Sequence, residues 1–305
     1  MGKARVIVTY GWCRVSYAAL RCLAAHNVDV VVGGPDKFSM AGSSKFAHAT
    51  FTYPSPYTDP IGFMGAVADA AKLYDASVYL PIHEEILAVA KYQHLLPDSL
   101  LVPIATHDQI MTAYDKGLTM AHAEKVGVPI PQTIYPDSVE QVAELASGVI
   151  FPTWIKLKKS NSAKGVFKID DLESLIKRYA EIVEEFSLDA DSLPLIQQHI
   201  SGKVYAVSML FNKGKMVSKF VRKNIREKTH GGGTCTKCVS VRVPTLENHA
   251  QKMLETLNWH GPAMLEFKYD EDNDAAYLLE INPRYHGTID HDIPVSYTHL
   301  RAHET

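Results

Sequence analysis

Leu265-Glu266-Phe267-Lys268 and Leu278-Leu279-Glu280-Ile281-Asn282-Pro283-Arg284 are two strand-like runs joined by an acidic turn, Asp270 to Asp274. Runs of this kind around a short polar turn pair as a hairpin. Alternation along a strand sets Glu266 apart from apolar Leu265 and Phe267, while Glu280 and Asn282, two residues apart, project from one face. Two carboxylates and an amide oxygen then converge. Hard oxygen donors of this kind suit Mg2+, which shares its octahedral shell among a few carboxylates, waters and phosphates. Arg284 points the same way, and its guanidinium fork can hold a transferring phosphoryl group or a substrate carboxylate. A surface hairpin with its polar side chains outward has the same spacing. Unpaired carboxylates in such apolar strands are costly, however, which favours Glu266, Glu280 and Asn282 as metal ligands.

Upstream, Phe151 to Leu157 reads as a strand carrying Lys156 near its end, followed by the polar loop Lys158 to Gly165. A lysine there can set an ammonium and backbone N–H groups against phosphates, although lysines are common at strand ends. Phe220 to His230 is a basic strand in which Arg222 and Arg226 alternate with Val221 and Ile225, and it runs into Gly231-Gly232-Gly233. It fits a mobile flap over a polyanion or, equally, a solvated basic edge strand. Leu193 to His199 and Val204 to Phe211 read as strands, and Asn212 to Lys215 as a hairpin turn into Met216 to Arg222. Asp108 to Gly127 reads as one helix with an apolar stripe of Ala113, Leu118, Ala121 and Val126. A second helix is predicted from Ser138 to Ala146, with Ser138 as N-cap and Gln141 completing a capping box.

The amino-terminal part has a different pattern. Val6 to Thr9, Tyr17 to His26 and Val28 to Val32 form a strand, helix, strand unit, with Gly33-Gly34-Pro35 ending the second strand. Further helical (Gly65 to Tyr74) and strand (Ala76 to Pro81) patterns predict a small parallel sheet, a Rossmann-like α/β fold. The turn at Gly11 lacks the second and third glycines of GxGxxG and reads as structural. His83-Glu84-Glu85 follows a predicted strand at its carboxyl end, where open parallel sheets place ligand-contacting side chains. Glu84 or Glu85 is the candidate substrate contact, and a solvated helix start is the alternative.

The chain has 305 residues, 46% of them apolar, and a formal charge of −3. That suffices for two or three domains, and gives no bulk electrostatic argument for nucleic acid or an anionic membrane as partner. No apolar run reaches membrane-spanning length, and Met1 runs almost directly into a strand; a cytoplasmic enzyme is the simplest expectation. Four cysteines do not make a disulfide framework, and Cys235-x-x-Cys238 reads as two thiols in a strand after a glycine loop rather than half a zinc site.

In this order the segments resemble the ATP-grasp superfamily, and within it the carbamoyl-phosphate-synthetase-like carboxylate-amine ligases. The resemblance implies a Rossmann-like domain at 1–107 and an ATP-grasp domain at 108–292, itself two α+β subdomains at 108–192 and 193–292. Residues 293–305 look like a tail foreign to the family. Tyr114-Asp115-Lys116 resembles the opening helix whose lysine contacts nucleotide phosphates, and Lys156 the strand lysine on the α and β phosphates. Gln197, Gln198, His199 and Ile200 match the hinge that binds adenine. Arg222, Lys223 or Arg226 is expected near the triphosphate, Arg226 with a catalytic role, and Glu266, Glu280 and Asn282 match the magnesium ligands. Arg284 matches the catalytic arginine.

The implied reaction transfers the γ-phosphate of ATP to a substrate carboxylate, after which an amine displaces phosphate to form an amide. The implied cofactors are ATP and Mg2+, two ions of it, with Mn2+ able to substitute. The partners are a small carboxylate and an amine, and a homodimer is among the allowed assemblies. Two alternatives stand beside this: an ATP-binding regulatory or assembly subunit with impaired turnover, and a carbamoyl-phosphate-synthase-type enzyme acting on bicarbonate. Lys203, Val204 and Tyr205 stand where many relatives hold the ribose with an acidic residue, and the loop after Lys156 has one glycine where many have several.

Overall fold

The computed structural model describes residues 3–160, 165–229 and 232–289. It begins with β1 (Arg5–Val8), α1 (Arg14–Ala25), β2 (Asp29–Gly34), β3 (Ala47–Thr52), α2 (Pro60–Leu73), β4 (Val78–Leu80) and α3 (Ile86–Tyr92). The four strands form one parallel sheet in the order β3-β2-β1-β4. As expected for strands covered on both faces, Val6, Ile7, Val8, Val30, Val31 and Val32 are all buried. Two details differ from the sequence reading. Gly33 and Gly34 do not stop β2 but extend it, pairing with Phe51 and Thr52 of β3. A Cβ on Gly33 would come 2.5 Å from the Phe51 ring, so glycine is what lets that aromatic side chain cross the strand. The sequence reading had no β3, whose His48 and two threonines hide its period.

The chain continues through α4 (His107–Tyr114), α5 (Lys116–Lys125), β5 (Thr133–Ile134), α6 (Val142–Leu145), β6 (Thr153–Lys156), β7 (Val166–Ile169), α7 (Leu172–Glu185) and β8 (Leu195–Gln198). The expected single helix from 108 to 127 is two. Asp115 is extended (φ −85°, ψ 115°) and its carboxylate accepts from the N–H of Gly117 at 2.8 Å and Leu118 at 3.2 Å, restarting the helix as an N-cap. Leu118 and Ala121, expected in an apolar stripe, are exposed. The helix expected from 138 is reduced to α6, because the Gln141 side chain accepts from the Asp137 N–H and no side chain caps the helix.

Strands β5-β8-β6-β7 form an antiparallel sheet covered by α6 and α7 around Ile155, Leu175, Tyr179, Ile182 and Ile196. The last elements are β9 (Lys203–Asn212), β10 (Lys215–Thr229), β11 (Gly232–Val241), α8 (Pro244–Thr256), β12 (Gly261–Asp270) and β13 (Ala275–Asn282), with sheet order β11-β10-β9-β12-β13. Helix α8 covers one face, packing Leu246, Met253 and Leu254 on Val207, Leu265 and Phe267. This core runs on into the amino-terminal part through Ile7, Phe63 and Tyr79, whereas the β5-β8-β6-β7 core is separate. Gly261 (φ +92°) passes so close to the 103–104 segment that a Cβ would lie 2.3 Å from the Pro103 carbonyl. Among the described residues, no helix is long and apolar enough to cross a membrane. Residues 161–164 of the polar loop, His230-Gly231 of the glycine turn and the 293–305 tail lie outside the described residues.

Candidate active site

The uncovered face of the five-stranded sheet is polar because of one bulge. Glu266 pairs with Glu280, but Phe267 pairs with Leu278, leaving Leu279 as the extra residue. Without it Glu280 would share the apolar face of Leu278. With it, Glu266, Glu280 and Asn282 stand together, as the two-residue spacing predicted. Asn282 Nδ2 donates to Glu280 Oε1 at 3.1 Å, and Lys116 Nζ lies 3.4 Å from Glu280 Oε2. The same ammonium donates to the Ser160 carbonyl at 3.0 Å, and Lys116 is 5% exposed. Asp115 is what positions it, by ending α4 and turning the next residue inward.

Burial pushes the Glu266 carboxyl upward, the neighbouring Glu280 adds to this, and Arg222 opposes it. Burial acts on Glu280 in the same direction but is outweighed by Lys116, Asn282 and Lys156, which hold its carboxyl low. Two carboxylates facing each other in register, one of them short of positive charge, fit a divalent cation. Among the described residues no three His, Cys, Asp or Glu side chains form a metal-binding group, so the donor set is two carboxylates and an amide. Such a set suits an ion that completes its shell with phosphate oxygens and water.

Across the cleft, Trp154 and Lys156 of β6 share a face with Gln197 of β8. Lys156 Nζ donates to Gln197 Oε1 at 2.6 Å, and Gln197 Nε2 donates to Thr133 Oγ1 at 2.9 Å, so the buried amide is satisfied and fixes the ammonium. Desolvation lowers the Lys156 ammonium to about 8, with Glu280 working against the shift and Lys116 with it. Trp154 Nε1 donates to His199 Nδ1 at 3.0 Å, and burial lowers the His199 imidazole. Ile200 lies half-buried in the connection from β8 to β9. Arg222 is 3% exposed on the site face, donating through Nη1 to Asn224 Oδ1 and through Nη2 to Met264 Sδ at 3.3 Å. Arg284 follows β13 into a cleft of about 380 Å3, partly open to solvent, lined also by Glu84, Tyr114, Lys116 and Asn282.

Three expected contacts are not brought here. Lys223 is adjacent to Arg222 and therefore on the α8 side of the sheet, paired with Glu271 over the Tyr205 ring. Gln198 faces away from Lys156 beside Ile196 and Thr153, and its N–H is taken by the Gln132 carbonyl at 2.9 Å. Arg226 sits in the exposed β10–β11 ribbon with its Nε 3.0 Å from Thr236 Oγ1, where bulges on both sides of it break the alternation. Of the two adjacent glutamates, Glu85 is fully buried and structural: it accepts from Thr9 Oγ1 at 2.6 Å and from the N–H groups of Ile82 and His83. Glu84 is the one in the cleft. Trp154 and Lys268 were missed, although each lies two residues from a chosen one. Lys268 Nζ donates to the Gly202 carbonyl at 2.9 Å, and burial lowers its ammonium. Cys235 and Cys238 are free thiols in β11.

Residues 192–295 match the family model described as ATP-grasp in the biosynthetic pathway with Ter operon. The chain is 25% identical over 300 residues to urea amidolyase of Saccharomyces cerevisiae, covering 88% of this chain and 15% of that protein. It is 25% identical over 177 residues to the C-terminal section of the carbamoyl phosphate synthase large chain of Methanopyrus kandleri, covering 54% and 32%. The chain thus spans a small part of these curated relatives. Among solved structures, the biotin carboxylase domain of Hydrogenobacter thermophilus 2-oxoglutarate carboxylase, in complex with MgADP, ADP and bicarbonate, superposes with TM-score 0.73 at 15% identity over 94% of this chain and 65% of that one. The L-amino acid ligase of Bacillus licheniformis superposes with TM-score 0.70 at 14% identity over 96% and 70%. The α/β and α+β architecture is that of these structures. Residues 192–295 thus carry an ATP-grasp family match, and the chain as a whole is similar in sequence and fold to carbamoyl-phosphate-synthase-type and biotin-carboxylase-type proteins.

Proposed function

We propose that the chain is an ATP-dependent ligase that activates a substrate carboxylate with MgATP and passes it to an amine. The observation that carries this reading is the convergence of two enclosed lysines, a facing carboxylate pair and an arginine on one cleft between two sheets. Lys156 and Lys116 bind phosphate oxygens, with Gln197 and the Ser160 carbonyl orienting their ammonium groups. Trp154, His199 and the 199–202 connection form the wall for the base. Glu266, Glu280 and Asn282 would hold Mg2+, which neutralises charge on the phosphates when bound. Lys116, now paired with Glu280, then turns to the nucleotide.

Arg284 holds the acceptor carboxylate in line with the γ-phosphate. A carboxylate oxygen attacks the γ-phosphorus, the bond from that phosphorus to the β-phosphate oxygen breaks, and ADP departs with the electron pair. An amine nitrogen then attacks the acyl carbon, inorganic phosphate leaves, and the nitrogen loses a proton to solvent. The chain's own contribution is positional and electrostatic, as phosphoryl transfer requires. The test is ADP release from MgATP with added carboxylates and amines, bicarbonate included, for wild type, Glu280→Ala and Lys156→Ala. Acceptor-dependent release lost in both variants supports the ligase. Release that no acceptor stimulates, in a protein that MgATP still stabilises, would leave nucleotide binding alone and refute it.

A further inference from the structure

Glu84 leads into α3 at the carboxyl end of β4, in the part of the cleft that faces Arg284. Its Oε1 is enclosed and has no hydrogen-bond partner among the described residues, and the same holds for Nδ1 of the preceding His83. An enclosed carboxylate oxygen without a donor is unfavourable, so its retention calls for a partner that arrives from outside. Nor is the side chain loosely placed. Glu85 next to it is locked by Thr9 Oγ1 and by the N–H groups of Ile82 and His83, which pins the turn and leaves Glu84 directed into the cleft.

Neither of the cleft's cations, Lys116 or Arg284, is paired with Glu84 among the described residues. Lys116 is engaged with Glu280 and Ser160, and no ion pair joins Glu84 to Arg284 among the described residues. Arg284 donates one Nη1 bond to the Tyr285 carbonyl at 3.2 Å, leaving most of its fork for a ligand. Tyr114 lines the cleft with them, and next to Glu84 an aromatic cluster holds the turn: Tyr57 is hydrogen-bonded to Tyr10, and Tyr10 stacks on His83 at 5.0 Å. Glu84 and Arg284 line the same cleft, and both act on the Tyr57 and Tyr114 phenols, Glu84 raising and Arg284 lowering each after the larger effect of burial.

We infer that the acceptor is a zwitterion of the α-amino acid class, its carboxylate on Arg284 and its ammonium on Glu84. This rests on the ligase reading and narrows it. A simple carboxylate would pair with Arg284 but leave the enclosed Glu84 oxygen without a donor, whereas an ammonium supplies that donor and the opposite charge together.

The experiment compares ADP release from MgATP with proteinogenic L-amino acids and with their matched desamino carboxylic acids, each with ammonia or glycine as amine, for wild type and Glu84→Gln. A shift in melting temperature with a non-hydrolysable MgATP analogue is recorded in both. Amino acids are expected to be activated at least about a hundredfold better than desamino acids, as for a site built around one polar group of its ligand. Glu84→Gln is expected to erase that preference and keep the nucleotide-induced shift. Equal use of desamino acids, a preference that survives Glu84→Gln, or activation of neither class despite nucleotide binding overturns the inference. Absence of the nucleotide shift in wild type refutes the ligase reading, and the inference falls with it.

Discussion

Lys156→Met separates the two things the buried lysine does. Desolvation lowers its ammonium from 10.5 to about 8. At about 1.4 kcal/mol per pH unit that corresponds to roughly 3 kcal/mol against the charged form, an upper bound because the residue keeps some surface. Methionine removes that burden but strands Gln197 Oε1, now 2.6 Å from the ammonium, which costs about 1–3 kcal/mol. The two nearly cancel, so the ligand-free protein should unfold within about 1–2 kcal/mol of wild type. Nucleotide binding has no such compensation. Losing a charged hydrogen bond to phosphate removes about 2–3 kcal/mol, raising Kd roughly 30- to 150-fold. At a nucleotide concentration about 100 times the wild-type Kd, ligand stabilisation should fall from about 2.7 kcal/mol to below about 1 kcal/mol. Thermal unfolding with and without a non-hydrolysable MgATP analogue measures both numbers. A variant with the full ligand-induced shift would sink the assignment of Lys156 to the phosphates, and a collapsed ligand-free protein would sink the energetic argument.

Two other outcomes follow from the same geometry. Asp115→Ala removes the cap of α5 and should cost about 1 kcal/mol in urea unfolding, with weaker nucleotide binding because Lys116 loses its fixed approach. His83 is held near 4, first by burial and then by Arg284, against 6.5 when unfolded. The unfolded chain therefore takes up this proton first, so its neutral-form stabilisation is complete above about pH 6.5 and is lost as pH falls toward 4, by at most about 3 kcal/mol. His83→Gln should flatten that part of the pH–stability curve, and an unchanged slope would assign it to other groups.

Much of the site was legible because a two-residue period is a property of sequence. Glu280 and Asn282 could be placed on one face from spacing alone, while joining them to Glu266 took the bulge at Leu279; Gln197 came from the family resemblance, and Trp154 and Lys268 were reachable by counting two residues from Lys156 and Glu266. Failures came where the face depends on a partner strand. Nothing in Arg222-Lys223 says which of the two turns toward Glu266; the pairing of Lys223 with Tyr205 on β9 does. Asp115 reads as tolerable inside a helix until Gly117 and Leu118 are seen to need its oxygens. Glu84 and Glu85 are equivalent in sequence, and only the N–H groups of Ile82 and His83 distinguish them. The strand at Ala47–Thr52 is too polar to announce itself and exists because β2 offers an edge.

The separation of the β5-β8-β6-β7 core from the rest bears on the order of events at the site. Glu84, Arg284 and the Glu266–Glu280 pair are carried by elements of the larger core, tied further by Gly261 against Pro103, while Lys156, Gln197 and Trp154 belong to the β5-β8-β6-β7 sheet with its own packing. Rotation of that smaller sheet would change the width of the nucleotide slot and leave the acceptor pocket intact. On the ligase reading proposed above, the acceptor would dock on a surface already assembled, and a movement of the smaller sheet would bear on the nucleotide alone. In steady-state kinetics such an arrangement gives a dead-end acceptor analogue that competes with the acceptor at both low and saturating nucleotide, with little change in its inhibition constant between the two conditions.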